Sequence, residues 1–179
     1  MLSASFSNPT PNIQSNGSDP PVHIISTFAR AAAREVFATM LNIEVAAIET
    51  EDDVAKPPIE ISGVSGGVSF TGKMTGILYL NLTDGLAKAA ANRILGDDPS
   101  RSDDEVNDVV GELTNMVTGN LKSKMADRGF NCALSIPTVL RGLKVSVDNL
   151  QSPLSLTSSF NVPEINETLN ICIFARLEE

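Results

Sequence analysis

The sequence predicts an α+β fold, one largely antiparallel sheet packed with three helices, of which the longest is central. Three stretches carry apolar residues at helical spacing, near 22–41, 83–95 and 102–129. Elsewhere the apolar residues alternate with small or polar ones, as strands require, and from residue 131 onward such runs follow one another with no helix between them. Strands joined that closely pair antiparallel, so the helices gather on a sheet instead of alternating with its strands.

Taken in order, Met1 to Pro21 is rich in Ser, Asn and Pro with little to bury, and reads as a mobile tail. Residues 22–179 then make a single domain, since 179 residues suffice for one full core but not comfortably for two. The first helix, Val22 to Leu41, turns Ile24, Ile25, Phe28, Ala32, Val36, Phe37 and Met40 inward. Leu41 to Ile48 reads as a short strand, and Glu51 to Pro58 as a polar connection whose two prolines oppose helix. Two strands of a hairpin follow, about 59–70 and 74–82, punctuated by five glycines. Thr83 to Leu95 is the second helix, with Thr83 or Asp84 as N-cap, Gly96 as C-cap, and Leu86, Ala89, Ala90, Ile94 and Leu95 inward. Strands at Asn131–Ile136, Leu143–Val147, Leu154–Val162 and Glu167–Leu177 complete the chain, separated by Pro137, Gly142, Pro153 and Pro163.

The helix at 102–129 organises the rest. Ser102 with Glu105 forms a capping box, Asp103 and Asp104 sit at the positive end of the macrodipole, and Lys122, Lys124 and Arg128 lie toward the other end, closed by Gly129. Val106, Val109, Val110, Leu113, Val117 and Leu121 fall in one stripe and face the core. Asp108, Glu112, Asn115 and Gly119 project from the opposite side, with Glu112 and Asn115 one turn apart. A glycine exposed in a helix costs roughly 1 kcal/mol relative to alanine, so Gly111 and Gly119 beside this pair suggest close approach by another protein's backbone. Lys122, on the same side two turns on, is a further candidate contact.

Composition and motifs exclude several function classes. A net charge of −9 opposes nucleic acid and anionic membrane surfaces, and would steer in a partner with a basic rim. Cys132 and Cys172 lie far apart in strand-like segments, with neither redox nor zinc spacing, and read as free thiols. The glycines near Gly72-Lys73 do not form a phosphate loop, because Met74 and a strand follow. The acids of GDDPSRSDDE lack the order of a calcium loop, so no metal site is expected. The single histidine, His23, at the tail-to-helix junction, has no nucleophile beside it for a classical hydrolase. The opening lacks a charged and apolar leader pattern, and no apolar run approaches the ~20 residues that span a bilayer, so a cytoplasmic location is expected.

Four motifs, in this order, resemble the CheX branch of the CheX/CheC/FliY chemotaxis phosphatases. They are G-x-M-T-G-I-L-Y-L at Gly72 to Leu80, the helix ending Leu95-Gly96, G-E-L-x-N-M-x-x-G at Gly111 to Gly119, and S-I-P-T-V-L-R-G at Ser135 to Gly142. The resemblance covers about residues 22–177. It implies a CheC-like fold and an enzyme that dephosphorylates CheY or a similar response regulator, with Glu112 and Asn115 as the matching active residues. It also implies a homodimer built through the sheet. Two-site members carry a second E-x-x-N, but here Asn92 is preceded by Ala89, which leaves one site per chain.

The chemistry follows from the residue types. An aspartyl phosphate already has a good leaving group, and the receiver's own Mg²⁺ supplies most of the charge stabilisation, so the phosphatase needs no cofactor of its own. What remains is to place a water. The Asn115 carboxamide donates and accepts without titrating, which suits it to hold that water in line with phosphorus. Anionic Glu112 is suited instead to a receiver lysine beside the phosphorylation site. The alternative is a non-catalytic module that docks a receiver or a flagellar motor component through the same helix.

Overall fold

The computed structural model describes residues 21–48, 59–147 and 154–178. The expected tail up to residue 20, the Glu51–Pro58 connection and Pro153 lie outside the described residues, and Pro21, expected in the tail, opens the first helix. Among the described residues seven strands form one sheet, and every pairing in it is antiparallel. In chain order they are β1 (Ala46–Ile48), β2 (Ile59–Gly72), β3 (Met74–Leu82), β4 (Cys132–Leu134), β5 (Thr138–Val147), β6 (Leu154–Val162) and β7 (Glu167–Leu177). The order across the sheet is β1-β6-β7-β3-β2, and β2 offers its remaining edge to β5 along its first part and to β4 at its end. Helices α1 (Pro21–Val36), α2 (Asp84–Leu95) and α3 (Asp103–Ala126) complete the α+β architecture that the residue pattern predicts.

One face of the sheet holds the main core. Leu78, Leu80 and Leu82 of β3, Leu169, Ile171 and Ile173 of β7, and Phe160 of β6 meet Ile25, Ala29 and Phe37 from the first helix and Val110, Leu113 and Val117 from α3. Complete burial of each such Val, Leu, Ile or Phe side chain contributes about 1.5–3 kcal/mol, so this layer supplies the main driving force for folding. A smaller cluster of Ile59, Ile61, Cys172 and Phe174 lies on the other side of the strands. Cys172 is buried there, accepting from Asn81 Nδ2 at 3.3 Å, and burial pushes its thiol pKa up; Cys132 is half-buried, and its pKa is raised by burial too.

Three differences from the expected elements affect the site. The first helix does not stay α-helical to Leu41, because Phe37–Leu41 is a π-helical turn closed by Asn42 at φ 50°. The wider turn slips the phase, so Phe37 and Leu41 enter the core and Met40 is turned out, 41% exposed. Ile94 and Leu95, expected inward, lie exposed in the last turn of α2, whose buried side is Leu86, Ala87, Ala90 and Ala91. Finally, β5 begins at Thr138 and runs through Gly142, which sits opposite Gly63 at a bulge instead of ending a strand. The strand expected from Asn131 to Ile136 shortens to β4, and the one expected from Leu41 shortens to β1.

Candidate functional site

α3 is tethered along most of its length. At its start the capping box is complete: Ser102 Oγ accepts from the Glu105 N–H at 3.3 Å, and Glu105 Oε2 accepts from the Ser102 N–H at 3.1 Å. The Ser102 N–H, and the Ser102 hydroxyl donating to the same Oε2 at 2.9 Å, hold the Glu105 carboxyl below its usual range. From β5, Arg141 reaches Asn107 Oδ1 at 3.0 Å, Asp103 at 2.9 Å and Asp84 of α2 at 3.6 Å, joining both helix starts to the sheet. In the middle, buried Thr114 and Thr118 return their hydroxyls to the carbonyls of Val110 and Thr114, and Gly66 of β2 lies directly beneath Thr114. Near the far end Lys124 pairs with Glu35 of α1, whose carboxyl also accepts from Asn120 and is held below its usual range, Asn120 contributing most. Arg128 stacks over Phe28, its guanidinium carbon 5.6 Å from the ring centroid.

Between these anchors the outer side of α3 is left open. Asp108 and Glu112 are exposed, Asn115 is half-buried at the surface, and Leu113, Thr114 and Val117 between and beyond them are buried. Among the described residues, no hydrogen bond or ion pair engages the side chains of Asp108, Glu112 or Asn115. A Cβ added to Gly119 would meet nothing within 4 Å, so no contact among the described residues requires glycine there.

The other predicted contact residues separate. Gly111 is not on a solvated face; it is buried, and a Cβ on it would meet Val139 Cγ2 at 3.5 Å and Pro137 at 3.8 Å. The reason is the early start of β5, which lays Pro137 and Val139 against α3. Together with Asp108, Gly111 and Glu112 they line a hollow of about 340 Å³. Lys122 is half-buried, and its charge partly offsets the burial that raises the Cys132 thiol pKa. Beyond Asp108 and Glu112 on the other side, a second groove is lined by Met40, Ile94 and Leu95 over Val109, Leu113 and Met116. Met40, Ile94, Leu95, Val109 and Leu113 were not expected at a site, because periodicity assigned them inward. His23 is exposed, with Thr27 as its near neighbour.

The sequence profile of the family described as chemotaxis phosphatase CheX matches residues 64–161, more than half of the chain, from β2 through α3 into β6. The chain belongs to the CheX family. Solved CheX and CheC-like structures agree in fold with this CheX-family chain. A CheC-like superfamily protein from Shewanella sp. PV-4 is 27% identical, superposes with a TM-score of 0.75, and the match covers 86% of this chain and 97% of that one. The chemotaxis protein CheX of Vibrio vulnificus is 26% identical with a TM-score of 0.72, over 85% of this chain and 96% of that one. CheX of Borrelia burgdorferi, solved as a complex with CheY, BeF3 and Mg²⁺, shares the fold at 20% identity and a TM-score of 0.65, over 85% of this chain and 97% of that one. A comparison with curated protein sequences finds no match. Within this CheX-family fold no helix among the described residues is long and apolar enough to cross a membrane, and no group of three or more His, Cys, Asp or Glu residues could hold a metal ion.

Proposed function

We propose that this CheX-family protein hydrolyses the aspartyl phosphate of a CheY-like receiver domain, with Asn115 orienting the attacking water and Glu112 pairing with a receiver lysine. The observation that carries the reading is the pair itself, an amide and a carboxylate side by side, turned outward and unengaged, on a helix held at both ends and the middle. Rigid placement is what such a mechanism needs, because a displacement of about 1 Å can cost roughly a hundredfold in rate. The water oxygen bonds to phosphorus as the bond from phosphorus to the aspartyl oxygen breaks, releasing inorganic phosphate and restoring the receiver's carboxylate. Mg²⁺ in this reading belongs to the receiver, in keeping with the CheY, BeF3 and Mg²⁺ found together in the Borrelia structure. The site residues of this reading are Glu112 and Asn115, with Asp108, Gly119 and Lys122 around them as contacts; Gly111, buried against Pro137 and Val139, serves packing instead.

The same reading places the protein in the cytoplasm with its receiver. It takes a second copy across the sheet, where the outer edge of β5 has no strand partner among the described residues. Sedimentation velocity tests the dimer. Phosphate release from a panel of acetyl-phosphate-loaded receivers tests the chemistry: acceleration by the native protein is expected, whereas tight binding of receivers without acceleration would establish a docking module instead.

A further inference from the structure

Three large apolar side chains from two separate elements stay exposed around one groove. Met40 of the π-helical turn and Ile94 and Leu95 of α2 are 41%, 38% and 51% exposed. They line a groove of about 420 Å³ between α2 and α3. Its rim is acidic, formed by Glu105, Asp108 and Glu112 of α3. Apolar surface left in water forgoes the free energy of burial, and an apolar floor inside a polar rim is the anatomy of an interaction site. Glu112 belongs to this groove and to the proposed active pair alike.

We propose that this groove seats an apolar side chain of the phosphorylated receiver, flanked on the receiver by lysine or arginine, and so selects which receiver the enzyme serves. This rests on the reading of Glu112 and Asn115 as receiver-facing. Two arguments favour a receiver as the occupant over a second copy of the chain. The groove shares its rim with the proposed active pair, so whatever meets Glu112 also covers the apolar floor. A two-fold contact of the groove with itself would set the Asp108 and Glu112 carboxylates against their own kind, in a chain already at −9, whereas Glu105 is paired with Arg101. The rim therefore steers in a basic surface while the floor rewards an apolar one.

The test combines titration of beryllium-fluoride-loaded receivers with phosphate release from the acetyl-phosphate-loaded ones. Leu95→Ser is expected to raise both Kd and KM about tenfold while kcat stays within about twofold, as removal of an apolar anchor should. Met40→Gln, from a different element, is expected to give the same split, which keeps the test independent of any local change in α2. Ile48→Ser, also exposed but on β1, is expected to change nothing. Unchanged Kd in both groove variants overturns the proposal, as does a fall in kcat at constant KM. If Asn115→Ala keeps full activity while Leu95→Ser still weakens binding, the groove stands and the assignment of the water-placing residue falls.

Discussion

Thr114 of α3 rests on Gly66 of β2 so closely that a Cβ at residue 66 would lie 1.9 Å from the Thr114 Oγ1 and 2.8 Å from its Cβ. Thr114 is completely buried and stands between Glu112 and Asn115 in sequence, so this contact sets both the depth of the helix and the direction of the pair. Gly66→Ala is expected to cost about 1–3 kcal/mol, as overpacking of a close-fitting core does. Denaturant unfolding checks the stability, and phosphatase activity is expected to fall with it because the helix must lift or turn. Adding Thr114→Ala should recover only part of the loss, since the threonine Cβ remains in the way.

Asn115→Ala is expected to leave stability within about 0.5 kcal/mol, because its side chain has no partner among the described residues, yet to slow receiver dephosphorylation about a hundredfold or more. Glu112→Gln is expected to act mainly on KM. Steady-state kinetics on a phosphorylated receiver separates the two, and equal kcat losses would contradict the division of roles.

Gly119→Ala meets open space and should stabilise α3 by about 0.5–1 kcal/mol, the ordinary helix-interior difference. If a receiver's backbone passes there, the same variant raises KM. A more stable protein with unchanged KM would remove Gly119 from the interface.

Arg141→Met should cost about 2 kcal/mol, since its half-buried guanidinium joins Asp103, Asn107 and Asp84 and its loss frees β5 from α3. A thermal midpoint lowered by roughly 4–8 °C is the expected readout. Because the Asp103 carboxylate is mostly exposed, a double-mutant cycle with Asp103→Ala should assign it about 1 kcal/mol or less.

Acid stability depends on the start of α3. The hydrogen bonds from Ser102 hold the Glu105 carboxyl below its unfolded value of 4.5, so its contribution is complete above that pH and lost as pH falls through the lower folded value. Glu105→Gln is expected to flatten stability against pH in that acid window and leave neutral pH less affected. Urea midpoints at several pH values measure it.

The α3 face was legible because a capped, amphipathic helix fixes its own phase: Ser102 and Glu105 set the start, the valine and leucine stripe sets the buried side, and Glu112 with Asn115 must then point out. The strands Leu154–Val162 and Glu167–Leu177 were legible to the residue, being alternating runs bounded by turns. Met40, Ile94 and Leu95 were not. An apolar residue at a helix end continues the inward stripe in sequence, and only a π-helical turn and the end of α2 turn these three out. Nor was the burial of Gly111, which depends on where a strand some 30 residues later begins.

By itself the sequence determined the α+β class, the three helices and the orientation of the carboxylate–amide pair, because each follows from local periodicity and capping, while the family resemblance rested on four motifs in order. Tertiary structure alone decided what flanks that pair: Pro137 and Val139 on one side, the apolar groove on the other, and Thr114 seated on Gly66 below. Those relationships join residues distant along the chain, and their geometry is set by how strands register and helices settle on the sheet, which no local pattern encodes.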